Sequence, residues 1–130
     1  MVSVKSFMIP REKFVTIERD TNVQTSARIM RDRGIGSLFV TNGKEIIGIL
    51  TDTDMVRRVV AAGVDTRKTT AEQIMSAPIV SIEEDKTVLD ANDLMAKTHI
   101  RHLCVTQGGK VVGMISVRDI VVFLTNLPRK

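Results

Sequence analysis

A hydroxyl residue followed three positions later by an aspartate occurs twice in this chain, each time after a glycine and two apolar residues. The two stretches are GILTDTD, residues 48–54, and GMISVRD, residues 113–119. At a strand-to-helix turn the hydroxyl can cap the helix, and the helix dipole favours a carboxylate in the first turn. The same groups suit ligand binding, because free amides beside a hydroxyl can donate hydrogen bonds to a phosphate, and a carboxylate can accept hydrogen bonds from both hydroxyls of a ribose. The motif therefore predicts either helix capping or a nucleotide site.

Both motifs belong to an internal repeat. Residues 14–60 align without gaps with residues 79–125 at a constant offset of 65, and Asp54 coincides with Asp119. Repetition at a fixed offset indicates duplication. Because the motif recurs at the same place in a duplicated unit, we predict two equivalent sites.

Each copy predicts the element order β-α-β-β-α. Apolar residues at helical spacing predict the helices, and Asn42-Gly43 and Gly108-Gly109 predict tight turns between paired strands. This alternation predicts an α/β (α+β) fold. A unit of about 50 residues buries too little surface to be stable alone, so we predict that the copies pack together with pseudo-twofold symmetry. The helices are predicted near residues 22–33, 53–62, 87–98 and 118–126.

The predicted domain bounds follow the repeat. Repeat 1 covers residues 8–62, a connector covers residues 63–74, and repeat 2 covers residues 75–127. A short helix is predicted to begin in the connector at the capping box Thr70-x-x-Gln73.

Composition limits the classes of protein. The chain is 43% hydrophobic and 26% charged, which suits a folded domain, and no apolar run approaches the roughly 20 residues that span a bilayer. One cysteine, Cys104, and an N-terminus without the pattern of a signal peptide predict a cytoplasmic protein. The net charge of +4 favours an anionic partner, but the basic residues are scattered and aromatic residues are few.

Catalysis and metal binding find little support in the sequence. No constellation of serine, histidine and aspartate or of cysteine and histidine is evident, so the chain is predicted not to be an enzyme. The stretch HIRHLC, residues 99–104, lacks a second ligand cluster, and Cys104 alternates with apolar residues as in a buried strand. We predict no metal site.

The combined pattern resembles a tandem pair of CBS domains, the module named after cystathionine β-synthase and also called a Bateman module. The resemblance covers Met8 to Leu124 and includes the MSAPIVSI entry to the second copy and the RHLCVTQGGKVVGMIS hairpin. It implies a stand-alone regulatory module, without catalysis or a required cofactor, that binds adenosine-containing ligands in clefts between the repeats. AMP, ADP or ATP is favoured, with S-adenosylmethionine or a molecule of the NAD type as alternatives.

The resemblance also implies the residues of each site. Asp54 and Asp119 would hold the ribose hydroxyls, and Thr51 and Ser116 would contact phosphate or ribose. Ile49 and Met114 would line the adenine pocket. The opposing wall would place Val15 and Ile35 opposite Asp119, and Val80 and Ile100 opposite Asp54.

Basic residues distinguish the two predicted sites. Arg101, His102 and Arg118 lie near the second motif, whereas the first copy has Gly36, Ser37 and Thr53 at these positions. Because extra positive charge favours phosphates, we predict unequal affinities of the two sites.

The last predicted helix has apolar residues almost all the way round, from Ile120 to Leu127. A helix on the surface of a monomer should have a polar face, so we predict a homodimer formed through the second helices of the repeats. The regulated protein partner is not evident from the sequence. Two alternatives stay open, namely a CBS protein that binds nucleic acid and a structural interaction module without a nucleotide ligand.

Overall fold

The structure is a computed structural model that describes residues 2–126. It contains two compact units, which are described separately. The continuous unit comprises residues 14–79. The interrupted unit comprises residues 2–13 together with residues 80–126.

The continuous unit is built on a three-stranded sheet with the order β2-β3-β4. Strand β2 runs parallel to β3, and β3 and β4 form an antiparallel hairpin. The amphipathic helix α1 begins after the cap Asn22 and ends at Gly34, whose left-handed conformation (φ 64°) suits glycine. The elements are β2 (Thr16–Glu18), α1 (Val23–Arg33), β3 (Ser37–Asn42), β4 (Glu45–Thr51), α2 (Asp52–Asp54) and α3 (Ala71–Ile74), with a π-helical segment, Met55–Val60, after α2.

The interrupted unit repeats this arrangement and adds one edge strand. Its sheet has the order β1-β7-β6-β5, in which β1 pairs antiparallel with β7. The two hairpins have the same register. Val40 pairs with Gly48 and Val105 pairs with Gly113, and a bulge follows each of these pairs. The elements are β1 (Ile9–Pro10), β5 (Ser81–Glu83), α4 (Val88–Thr98), β6 (His102–Gln107), β7 (Lys110–Ser116) and α5 (Val117–Thr125).

The predicted order β-α-β-β-α is present in both copies, and the predicted α/β class is confirmed. The second helix of the first copy differs in its hydrogen bonding. The amide of Ala61 donates to the carbonyl of Val56, five residues earlier, as in a π-helix. The corresponding helix α5 is α-helical throughout.

The packing units do not coincide with the two sequence repeats, whose bounds stay a prediction. Val4 is fully buried in the core of the interrupted unit, and its amide donates to the carbonyl of Lys86. In the continuous unit, Ala71 and Ile74 of the connector complete the core. Each unit therefore gains apolar side chains from a segment outside its own β-α-β-β-α repeat, Val4 in the interrupted unit and Ala71 and Ile74 in the continuous unit. Burial of these side chains stabilises the units as described.

Candidate functional site

The first motif forms a capping box at the junction of β4 and α2. The backbone of Thr51 is extended, and its Oγ1 accepts the amide N–H of Asp54 at 3.2 Å. In return, Oδ2 of Asp54 accepts the amide N–H of Thr51 at 3.0 Å and its hydroxyl at 3.1 Å. These reciprocal bonds satisfy amides that the helix leaves unpaired.

The second motif has the same geometry at the junction of β7 and α5. Oγ of Ser116 accepts the amide N–H of Asp119 at 3.2 Å, and Oδ2 of Asp119 accepts the amide and the hydroxyl of Ser116, each at 2.9 Å. Helix capping, one of the two predicted roles, is therefore present in both copies. The ribose and phosphate contacts of these four residues stay predictions.

The two carboxylates differ in their further partners. Oγ of Ser76 donates to Oδ1 of Asp54 at 3.0 Å and lies 3.2 Å from Oδ2, and Nε of Arg58 lies 3.9 Å from Oδ1. Asp54 is only 6% exposed. Its carboxylate is therefore buried and engaged through both oxygens.

Asp119 is less enclosed. Within residues 2–126, every hydrogen bond to its carboxylate goes to Oδ2, and the side chain is half-buried. The position equivalent to Ser76 is held by Ile9, since each lies against the strand residue five positions before the aspartate. An isoleucine side chain donates no hydrogen bond, so Oδ1 of Asp119 stays available to a ligand.

The glycine of each motif allows close packing. A Cβ on Gly113 would lie 2.8 Å from the carbonyl oxygen of Ile9 and would also meet Met8. A Cβ on Gly48 would collide with the Met75 side chain and would lie 3.1 Å from the carbonyl oxygen of Ser76. The absence of a side chain thus lets Ile9 lie directly on β7 and Ser76 lie directly on β4.

The remaining predicted site residues divide between the units. In the continuous unit, Val15, Ile35 and Ile49 are half-buried, and they belong to the same unit as the first motif. In the interrupted unit, Val80, Ile100 and Met114 are likewise half-buried and accompany the second. The carbonyl groups of Val15 and Val80 already accept the amides of Phe39 and Cys104, at 3.1 and 3.0 Å. The opposing walls stay predictions.

The predicted basic residues lie around the second motif. His102 pairs with Ser116 across the β6–β7 hairpin, and the carbonyl of Arg101 accepts the amide of Val117 at 3.0 Å. Arg118 follows in the first turn of α5 and is exposed. The chain fold thus brings all three residues to the end of β7 that carries Ser116, where the charge of the two arginines favours an anion.

The site residues that distinguish the two copies, Ser76, Arg58 and Ile9, are not among those predicted from the sequence. Arg58 replaces the apolar Phe123 of the second copy, and this exchange was the available signal for a polar contact. Ser76 is 22 residues from Asp54 along the chain and carries no such signal.

The HIRHLC segment runs from the C-cap of α4 at His99 into strand β6, which begins at His102. Cys104 is 2% exposed, and its burial raises the pKa of the thiol to about 12. The thiol is therefore protonated at neutral pH and a poor metal ligand. In the part of the chain that the structure describes, no three His, Cys, Asp or Glu side chains are grouped so that they could hold a metal ion.

The comparisons with known proteins identify the family. A model of the CBS domain matches residues 4–61 and 71–126, so the chain belongs to the CBS domain family and contains two CBS domains in tandem. The predicted resemblance is thereby confirmed. None of the helices within residues 2–126 is both long and apolar enough to cross a bilayer.

Two relatives show how far this likeness extends. An uncharacterized protein of Methanopyrus kandleri is 37% identical over 123 residues, which cover 93% of this chain but 63% of that protein. The CBS domain-containing protein YhcV of Bacillus subtilis is 30% identical over 122 residues, covering 94% of this chain and 85% of YhcV. The chain therefore spans slightly less than two thirds of the Methanopyrus protein.

Solved structures show the same fold. A CBS-domain protein of Burkholderia ambifaria is 31% identical, with a TM-score of 0.82 and coverage of 91% of this chain and 88% of that one. The hexameric CBS-CP12 protein of bloom-forming cyanobacteria is 30% identical, with a TM-score of 0.82 and coverage of 99% and 76%. CBSX2 in complex with AMP is 18% identical, with a TM-score of 0.79 and coverage of 99% and 100%, and shows the fold alone.

Proposed function

We propose that this chain is a non-catalytic regulatory module that binds an adenine nucleotide, with Asp119 accepting the ribose hydroxyls. The observation that carries the proposal is the half-buried Asp119 carboxylate, whose hydrogen bonds in the described chain leave Oδ1 available. An ionised carboxylate oxygen forms strong hydrogen bonds with hydroxyl donors. The position of the nucleotide in a cleft between the repeats stays a prediction from the family.

The surroundings of Asp119 support a phosphorylated ligand. Arg118 and Arg101 supply positive charge beside the capped end of α5, where the helix dipole also favours an anion. Half-buried Met114 provides an apolar surface on the adjacent strand for a base. Since CBSX2, which has the same fold, is in complex with AMP, AMP is the first ligand to test, followed by ADP and ATP.

The alternative function, a structural interaction module without a nucleotide ligand, also has a specific observation in its favour. The capping boxes give both aspartates a role that needs no ligand. Asp90 offers the matched control. It forms the same capping box with Thr87 at the start of α4, and its pKa is lowered mainly by the hydrogen bond from the Thr87 backbone. A change at Asp90 thus removes a cap without touching the proposed site.

The test is binding of nucleotides to wild type, Asp119→Asn and Asp90→Asn. A nucleotide at about 100 times its dissociation constant should stabilise wild type by about 2.7 kcal/mol, visible as a raised Tm. Asp119→Asn should weaken binding at least about tenfold, because hydrogen bonds to a charged group contribute about 1.5–3 kcal/mol. Asp90→Asn should bind as wild type does. The proposal fails if AMP, ADP, ATP, S-adenosylmethionine and NAD all leave Tm unchanged, or if Asp119→Asn retains full affinity.

A second copy of the chain is the proposed protein partner. Exposed apolar side chains cover one side of α5, with Val121 at 52% and Leu124 at 52% exposure. In the first copy, Val56 and Val60 are exposed to 62% and 75%. Exposed apolar side chains grouped on one helix favour burial against another protein. Leu127, which the sequence adds to this apolar set, lies outside the described residues.

Sedimentation velocity tests the dimer. The double variant Val121→Lys/Leu124→Lys should weaken self-association at least tenfold, because each lysine would place an uncompensated charge in an apolar interface. Leu89→Lys is the control, since Leu89 is also exposed, to 56%, but lies on α4. A wild-type chain that sediments as a monomer at every concentration would refute the dimer.

A further inference from the structure

In both units the second helix of the copy contacts a segment from outside that copy, but the two contacts differ in chemistry. In the interrupted unit, Phe123 of α5 stacks on Phe7 with ring centroids 5.1 Å apart. In the continuous unit, the position equivalent to Phe123 is Arg58, and its partner segment is the end of α3. An apolar contact in one unit thus corresponds to a polar contact in the other.

Arg58 connects the connector to the first motif. Its Nη1 donates to the carbonyls of Ile74 and Met75, both at 3.1 Å, and its Nε lies 3.9 Å from Oδ1 of Asp54. These carbonyls terminate α3, where the helix dipole favours a cation. The guanidinium therefore lies between the end of a helix and a carboxylate.

Ser76 completes this group, which we call the Asp54 cluster (Asp54, Arg58 and Ser76). Its hydroxyl bonds the Asp54 carboxylate, while its backbone exchanges two hydrogen bonds with Ile49, at 2.8 and 3.1 Å. A carboxylate offers about four acceptor positions. The amide and hydroxyl of Thr51 and the hydroxyl of Ser76 supply three donors, so little capacity is left for the two hydroxyls of a ribose.

We infer that Asp54 is a positioning residue that holds the connector on the continuous unit, and that the chain consequently binds one nucleotide, at Asp119. The second part rests on the proposed function. Binding at Asp54 would require the hydrogen bond from Ser76 to open first. The apparent affinity would then equal the intrinsic affinity multiplied by the fraction of molecules in which this bond is open. At Asp119 the equivalent residue is Ile9, so no such bond has to open.

The positioning role of Asp54 is tested without any ligand, by a double-mutant cycle. Asp54→Ala and Ser76→Ala should be coupled by about tenfold in the unfolding equilibrium constant, since the two side chains share a partly buried, charge-assisted hydrogen bond. The control cycle, Asp119→Ala with Ile9→Ala, should be additive within about twofold. If Asp54→Ala does not fold, Asp54→Asn replaces it in the cycle. Additive effects of the Asp54 and Ser76 changes would overturn the positioning role.

The second part is tested by calorimetric titration with AMP. Wild type and Asp54→Asn should each bind one AMP per chain with equal affinity. The double variant Arg58→Phe/Ser76→Ile has the residue types of the equivalent positions, Phe123 and Ile9. It should bind a second AMP, at Asp54. The reverse exchange, Ile9→Ser, should weaken binding at Asp119 at least about threefold, because the new hydroxyl can occupy Oδ1.

The outcomes separate the two proposals. Two AMP molecules bound per wild-type chain with similar affinity, one of them lost in Asp54→Asn, would overturn the inference and leave the proposed function intact. No binding of AMP or any other nucleotide would overturn the proposed function and single-site binding together. The positioning role of Asp54 would then be decided by the double-mutant cycle alone.

Discussion

Replacement of Asp54 by alanine is expected to lower the free energy of unfolding by about 2–3 kcal/mol, whereas Asp119→Ala should cost about 1 kcal/mol. Both variants lose a capping box. Only Asp54→Ala also removes the charged acceptor of the half-buried Ser76 hydroxyl and the carboxylate beside Arg58. A hydrogen bond to a charged group contributes about 1.5–3 kcal/mol, which accounts for the difference.

Urea denaturation at neutral pH measures both losses. Asp54→Asn is a useful intermediate, because the amide oxygen can still accept from Thr51 while the negative charge near Arg58 is removed. It should fall between wild type and Asp54→Ala. Equal losses for Asp54→Ala and Asp119→Ala would mean that the Asp54 cluster adds nothing to the cap.

Replacement of Gly113 by alanine is expected to lower the free energy of unfolding by about 2–3 kcal/mol, and that of Gly48 by about 1–2 kcal/mol. At Gly113 the new methyl group would lie 2.8 Å from the carbonyl oxygen of Ile9, so the backbone of β1 would have to move. At Gly48 the main obstacle is the flexible side chain of Met75, while the carbonyl oxygen of Ser76 is 3.1 Å away.

Thermal or urea unfolding measures which of the two variants, Gly113→Ala or Gly48→Ala, loses more free energy of unfolding. Backbone displacement costs more than a change of side-chain rotamer, so Gly113→Ala should be the less stable variant. A Gly113→Ala chain as stable as wild type would show that β1 does not lie on β7 as described.

Much of the fold could be predicted from the repeat. Helix α1 was predicted near residues 22–33 and spans Val23–Arg33, and the capping box at Thr70 begins α3 as predicted. These features depend on neighbours within three or four residues, so local spacing reveals them. The π-helical hydrogen bonds of Met55–Val60 have no comparable pattern in the sequence, which predicts only a helix there.

Differences between the two copies could not be predicted from the repeat, because an alignment emphasises what the copies share. The bond between Ser76 and Asp54 joins residues far apart along the chain and depends on the path of the connector. The pairing of Ile9 with Met114 likewise depends on a short edge strand without marked periodicity. Contacts of this kind follow from tertiary packing and not from local propensity.

The interrupted unit also constrains the order of events during protein synthesis. Residues 14–79 form one uninterrupted stretch, so contacts within this unit can begin to form as soon as these residues have left the ribosome. Residues 2–13 come before this stretch but their partners come after it, since Val4 bonds Lys86 and β1 pairs with β7. The side chain of Val4 therefore stays unburied, and β1 unpaired with β7, until the continuous unit and then the second copy have been made.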